Sequence, residues 1–165
     1  MARADLVRRA EEYARRRGLL LGPPLGSGVH GSVFSAANQS ESGRSAIKVH
    51  ERCPDYVRER DVYLRLKDRG ISRVRDCAVP QLIGHHDDLL AIEMTIVTRP
   101  YVLDFAGAFL DRGPDFSEEI LAEWRAEKEE QFGRHWPDVQ AILGVLEGYG
   151  VFLIDVNPNN VAWPD

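Results

Sequence analysis

The stretch Gly26-Ser27-Gly28-Val29-His30-Gly31-Ser32-Val33, together with Ser45-Ala46-Ile47-Lys48-Val49 just downstream, decides how this chain is read. Glycines at G-x-G-x-x-G spacing let another molecule approach the backbone closely, but the pattern also fits dinucleotide-binding units and ordinary turns. The residues after the glycines separate these cases. In a dinucleotide-binding unit the glycines open a helix. Here Ser32-Val-Phe-Ser-Ala36 favours a strand, so the glycine loop joins two strands. The next strand carries Lys48 at its centre, where an ammonium is costly without a partner. Lys48, Lys67 and Lys128 are the only lysines among 21 Lys and Arg residues.

Upstream, Leu6, Ala10, Tyr13 and Ala14 fall at helical spacing over residues 4–17, with arginines Arg8, Arg9, Arg15, Arg16 and Arg17 read as a solvated face. Gly18 stops that helix, and Leu19–Leu21 begins the first strand. A turn cluster at Asn38–Gly43 separates the second and third strands. Downstream, Val57, Val62, Leu64 and Leu66 predict a helix from about Asp55 to Lys67, which carries Glu59. Strands at Pro80–Gly84 and Leu89–Val97 come next, joined by a turn at His85–Asp88. Beyond Pro100 the pattern becomes helical. Asp115 and Glu118 suggest a capping box for a helix to Phe132, and Pro137 suits the first turn of another. Gly148 and Gly150 end that helix before a buried strand, Val151–Ile154, and the segment Asp155-Val-Asn-Pro-Asn-Asn160. Trp124 and Trp136 are read as packing residues.

The 165 residues suffice for one core or two small lobes sharing a cleft. A net charge of −5 argues against a nucleic-acid or membrane-surface partner. No apolar run is long enough to span a bilayer, and the N-terminus lacks a signal-peptide core. Cys53 and Cys77 are too few for a disulfide framework, and a reduced cytoplasmic setting is expected.

Taken together and in this order, these segments resemble the protein kinase family. The resemblance runs from Leu19 to Trp163. It implies an α+β fold: an N-terminal helix (1–18), a five-stranded antiparallel N-lobe with helix C (19–98), and a much reduced helical C-lobe (99–165). It also implies ATP and Mg²⁺ as cofactors. Gly26, Ser27, Gly28, Gly31 and Val33 would cover the phosphates, Ala46 would belong to the same nucleotide site, and Lys48, held by Glu59, would pair with the α- and β-phosphates. Ile92 falls at the gatekeeper position, with Glu93 and Thr95 offering hinge backbone groups to adenine. Asp155 matches the catalytic aspartate and Asn160 the metal-binding asparagine. Asp155-x-Asn157-x-Asn159 also begins like a calcium loop, but Asn160 stands where that loop needs glycine.

Three departures bear on function. Leu153 and Ile154 replace the His-Arg that usually precedes the aspartate, and Asn157 replaces a lysine. No Asp-Phe-Gly comes after Asn160, so the usual metal carboxylate is missing from its usual place. Two functions are therefore open: a phosphotransferase moving the γ-phosphate to a hydroxyl of an unknown protein or small molecule, or a nucleotide-binding pseudokinase. Retention of Asp155 favours the first. His30, at the loop tip, is expected to be solvated, and His85 and His86 are read as turn residues. The apolar stripe Val139, Ile142, Leu143 and Leu146 suggests a homodimer through the C-terminal helices.

Overall fold

Alternation along Arg44–His50 sorts the molecule into two sides. Ala46 and Lys48 face one way, Ile47 and Val49 the other, and each face is covered by a different helix. The computed structural model describes residues 3–40 and 43–165. Met1, Ala2, Glu41 and Ser42 lie outside it, and with them the middle of the expected 38–43 turn.

In chain order the elements are α1 (Arg3–Arg17), β1 (Leu19–Gly28), β2 (Gly31–Asn38), β3 (Arg44–His50), α2 (Cys53–Asp68), β4 (Arg73–Val74), β5 (Cys77–Ala78), β6 (Leu82–His86) and β7 (Ala91–Thr95). Then come β8 (Tyr101–Val102), β9 (Ala108–Leu110), α3 (Glu118–Phe132), a 3-10 turn (Gly133–His135), α4 (Trp136–Gly148), β10 (Val151–Leu153) and β11 (Val161–Ala162). The main sheet is antiparallel with strand order β1-β2-β3-β7-β6. The α+β class and the five-stranded antiparallel sheet agree with the sequence expectation.

On the outer face, Leu6, Ala10, Tyr13 and Ala14 of α1 pack on Phe34, Ala36, Ile47, Val49 and Ala91. Burying side chains of this size contributes about 1.5–3 kcal/mol for each larger one. The N-terminal arginines are less uniform than expected. Arg8, Arg15 and Arg16 pair along the helix surface, whereas Arg9 is buried and donates to the carbonyls of Leu89 and His50. On the inner face, Tyr56, Val62, Tyr63 and Leu66 of α2 pack with Ala46, Ile92 and Met94.

Two small sheets attach the remainder. β10 pairs antiparallel with β9, and β11 pairs with β8 in a four-stranded sheet ordered β11-β8-β5-β4. Both β8 and β9 precede the last two helices in the chain, so Tyr101–Leu110 lies against Val151–Ala162 in space. The cap of α3 is Ser117, whose hydroxyl accepts from the Ile120 amide at 3.3 Å. Asp115 lies outside the helix, because Ser117 is the residue with extended backbone directly before it. Pro137 sits in the first turn of α4. Val139, Ile142, Leu143 and Leu146 are buried within the chain, beside Phe132, Trp136 and Val151. The stripe that pointed to a second copy is thus covered by the chain itself, and the argument for a dimer loses its basis. His85 and His86 lie on β6 rather than in the turn, which spans Asp87–Leu90. Among the described residues no helix is long and apolar enough to cross a membrane.

Candidate functional site

The hairpin β1–β2 roofs a cavity of about 720 Å³, a size that suits a small-molecule ligand. Gly26 to Gly31 and Val33 form its roof and Ala46 part of its wall. Gly31 is required by the fold itself: its φ is +148°, and a Cβ there would lie 2.1 Å from the Val49 carbonyl oxygen. Gly26 and Gly28 differ. A Cβ at either would meet nothing within 4 Å among the described residues. The fold does not need these two glycines for packing, and both line the cavity.

Behind the hairpin is a buried charge cluster. Lys48 Nζ lies 2.7 Å from Glu59 Oε2 and 2.9 Å from Asp104 Oδ1. Glu59 Oε2 is also 2.5 Å from His50 Nε2, and its Oε1 accepts the Phe105 amide at 3.2 Å. The Glu59 side chain is 1% exposed. Burial alone would raise its pKa, but the Lys48 ammonium and the His50 imidazole outweigh that and hold it at about 2. Burial likewise works against the Lys48 charge, and the Glu59 and Asp104 carboxylates overcome it, raising the pKa above its usual value. Lys48 and Glu59 are therefore both ionised at neutral pH. A lysine ammonium has three donors; two meet these carboxylates, which leaves one for a ligand.

Asp104 was not among the expected residues. It lies just after β8 with φ of +68°, a left-handed conformation that aspartate tolerates better than most side chains. Its position is tied down on both sides. The Leu103 amide donates to the Asn160 carbonyl at 2.9 Å, and Arg58 donates to the Ala106 carbonyl at 3.0 Å. The signal was in the sequence: Asp104 is the lone charge in Tyr101-Val-Leu-Asp-Phe-Ala-Gly-Ala-Phe109.

The outer end of the cavity is formed by the segment after β10. Asp155 and Asn160 both line it. The Asp155 side chain is 54% exposed, whereas Asn160 is nearly buried. Two contacts shape this segment. Trp124 Nε1 donates to the Ile154 carbonyl at 3.2 Å, and the Asn157 carbonyl accepts the Asn160 and Val161 amides in a tight turn. Gly107 allows the Asp104 segment to approach, since a Cβ there would lie 2.9 Å from Asp155 Cβ.

Lys48, Glu59, Asp155, Asn160, Ala46, Val33 and the hairpin glycines thus converge on one cavity, and Thr95 joins them. Two expected residues stand apart. Ile92 is fully buried in the inner core and does not line the cavity. Glu93, expected to offer backbone groups, does not line the cavity either, and its side chain lies on the opposite face, accepting from Tyr13 at 3.1 Å, Arg17 at 3.0 Å and Ser45 at 3.0 Å. The wall expected from them is made two residues later, by Met94 to Val97. His30 is only partly solvated, its side chain 20% exposed. Its ring bridges Asp55 and Asp155 at 3.3 and 3.4 Å. Tyr63 was also unforeseen: it lines the cavity floor, and its hydroxyl is buried without a hydrogen bond.

Asp104 and Asn160 are hard oxygen donors on one cavity. Among the described residues no group of three or more His, Cys, Asp or Glu could cage a metal alone. This donor set fits Mg²⁺ shared with phosphate oxygens, the usual way that ion is held. Compared with protein-family models the chain matches none, and no curated protein matches it in sequence.

Proposed function

We propose that the chain is a protein kinase-like phosphotransferase, moving the γ-phosphate of Mg-ATP to a hydroxyl acceptor. The observation that carries this reading is the buried Lys48–Glu59–Asp104 cluster at the back of a cavity roofed by Gly26–Gly31 and closed by Asp155 and Asn160. Adenine would lie between Ala46 and the Met94–Val97 wall. The third donor of Lys48 and the hairpin amides would take phosphate oxygens. Asp104 and Asn160 would hold Mg²⁺, which when bound neutralises phosphate charge. Asp155, at the open end, would accept the proton of the attacking hydroxyl. The acceptor oxygen–phosphorus bond forms as the bond to the β-phosphate oxygen breaks, and ADP leaves with that electron pair.

In a kinase the metal carboxylate comes after the asparagine. Here Asp104 would supply one from before it, since β8 and β9 lie against β11 and β10 in space. The pseudokinase alternative rested on the lack of such a carboxylate, so Asp104 favours the enzyme.

The test is thermal unfolding with and without millimolar Mg-ATP, together with transfer of labelled phosphate to a panel of hydroxyl acceptors. Mg-ATP is expected to raise Tm by mass action. Asp155→Asn should keep that shift and lose transfer, and Asp104→Asn should lose the Mg²⁺-dependent part of the shift. No shift in the wild-type protein would overturn the reading.

A further inference from the structure

His30 stands at the hairpin tip between carboxylates from two different elements. Its Nδ1 is 3.3 Å from Asp55 in the first turn of α2, and its Nε2 is 3.4 Å from Asp155 after β10. The two ends differ in character. Asp55 is buried and already held by Arg52 at 3.1 Å and Arg58 at 2.6 Å. Nδ1 is itself buried and makes no aligned hydrogen bond. Asp155 is half exposed, and the contact to it is long. The ring's hydrogen bond is therefore the long one to Asp155, with a close carboxylate but no aligned bond on the α2 side.

The cavity runs from Lys48 at the back to Asp155 at the mouth, beneath the hairpin. A phosphate chain that begins at Lys48 would bring its last phosphate under His30. Terminal phosphate carries more charge than one carboxylate and offers several oxygens, so it competes well for the Nε2 proton.

We propose that His30 distinguishes the nucleoside triphosphate from the diphosphate. In the free protein its Nε2 rests on Asp155. A terminal phosphate entering under the hairpin takes that N–H, and the Asp155 carboxylate becomes free for the acceptor hydroxyl. A diphosphate ends nearer Lys48, leaves His30 on Asp155, and keeps the carboxylate covered. This rests on the nucleotide reading above.

The experiment is calorimetric titration of wild type and His30→Ala with Mg-ADP and with the non-transferable β,γ-imido analogue of Mg-ATP. A hydrogen bond to a charged group corresponds to roughly ten- to a hundredfold in affinity, and the lower end applies because the long bond to Asp155 is given up in exchange. The analogue-to-ADP preference should narrow by about that factor in His30→Ala, with ADP affinity unchanged. Hydrogen exchange of the residue 26–31 amides gives a second readout. In wild type the analogue should protect them more than ADP does, and in His30→Ala the two should act alike. An unchanged preference in a folded His30→Ala overturns this inference alone. If wild type binds neither nucleotide, the nucleotide reading falls and takes this inference with it.

Discussion

Replacing Lys48 by methionine leaves Glu59 ionised and buried with its main counter-charge gone. The structure sets the size of the effect. The Glu59 carboxyl is held at about 2 against an ordinary 4.5 by Lys48 and His50 together, worth about 3 kcal/mol, with Lys48 the largest favourable charge. That agrees with the roughly 3–5 kcal/mol lost when one member of a buried pair is removed. Because the folded-state pKa is depressed, this stabilisation is present above about pH 4.5 and fades as pH falls toward 2. The Lys48 pKa is raised, so its share is present below about 10.5 and fades above it. Neutral pH lies inside both windows. Urea unfolding of Lys48→Met should show a loss of about 3 kcal/mol at pH 7 and under half of that at pH 3. The double variant Lys48→Met with Glu59→Gln should recover more than half, since the fully buried Glu59 charge is then gone and only the part-exposed Asp104 loses its partner. A loss that is the same at both pH values, or a double variant no better than the single one, would refute the reasoning.

The other predictions concern the cavity rim. Tyr63→Phe removes a buried hydroxyl that has no hydrogen bond, and urea unfolding should show stability unchanged or raised by about 1 kcal/mol. Gly31→Ala meets both positive φ and the Val49 carbonyl; it should cost about 2 kcal/mol or more, read as a lowered urea midpoint. Trp124→Phe loses the bond to the Ile154 carbonyl beside Asp155. It should lower kcat for transfer while leaving the Mg-ATP dissociation constant unchanged, a split measured by steady-state kinetics and calorimetry.

The parts of the site that could be read from sequence are those whose signal is local. Glycine spacing, an ammonium inside an apolar strand, and a carboxylate at the right helical offset are each contained in a short window. The position of the Met94–Val97 wall was not legible, because Ala91–Met94 is buried on both faces. Alternation cannot then tell which side faces the cavity. In the sequence Glu93 is expected to serve through its backbone, and the role of its side chain is not legible because its partners Tyr13, Arg17 and Ser45 come from distant segments. Asp104 escapes notice for the same reason, as its partner Lys48 lies 56 positions away. His30 reads as a solvated loop tip, and only folding brings Asp55 and Asp155 to either side of it. Asp115 resembles a helix cap because its spacing to Glu118 is right, but Ser117 is nearer the helix and its backbone is extended.

Val151–Ala162 closes two sheets at once, with Asp155 and Asn160 slung between β10 and β11. Lys48, Glu59 and Asp104 belong to the earlier part of the chain, across the exposed Arg112 and the Asp115–Phe116 pair. The cavity is thus a junction of two components that happen to share a tether. The helical pair α3–α4 sets the effective concentration at which one component meets the other. Cutting the exposed loop would turn an intramolecular docking into a bimolecular one. Function would then depend on how much of each piece is present, as in an enzyme reconstituted from fragments.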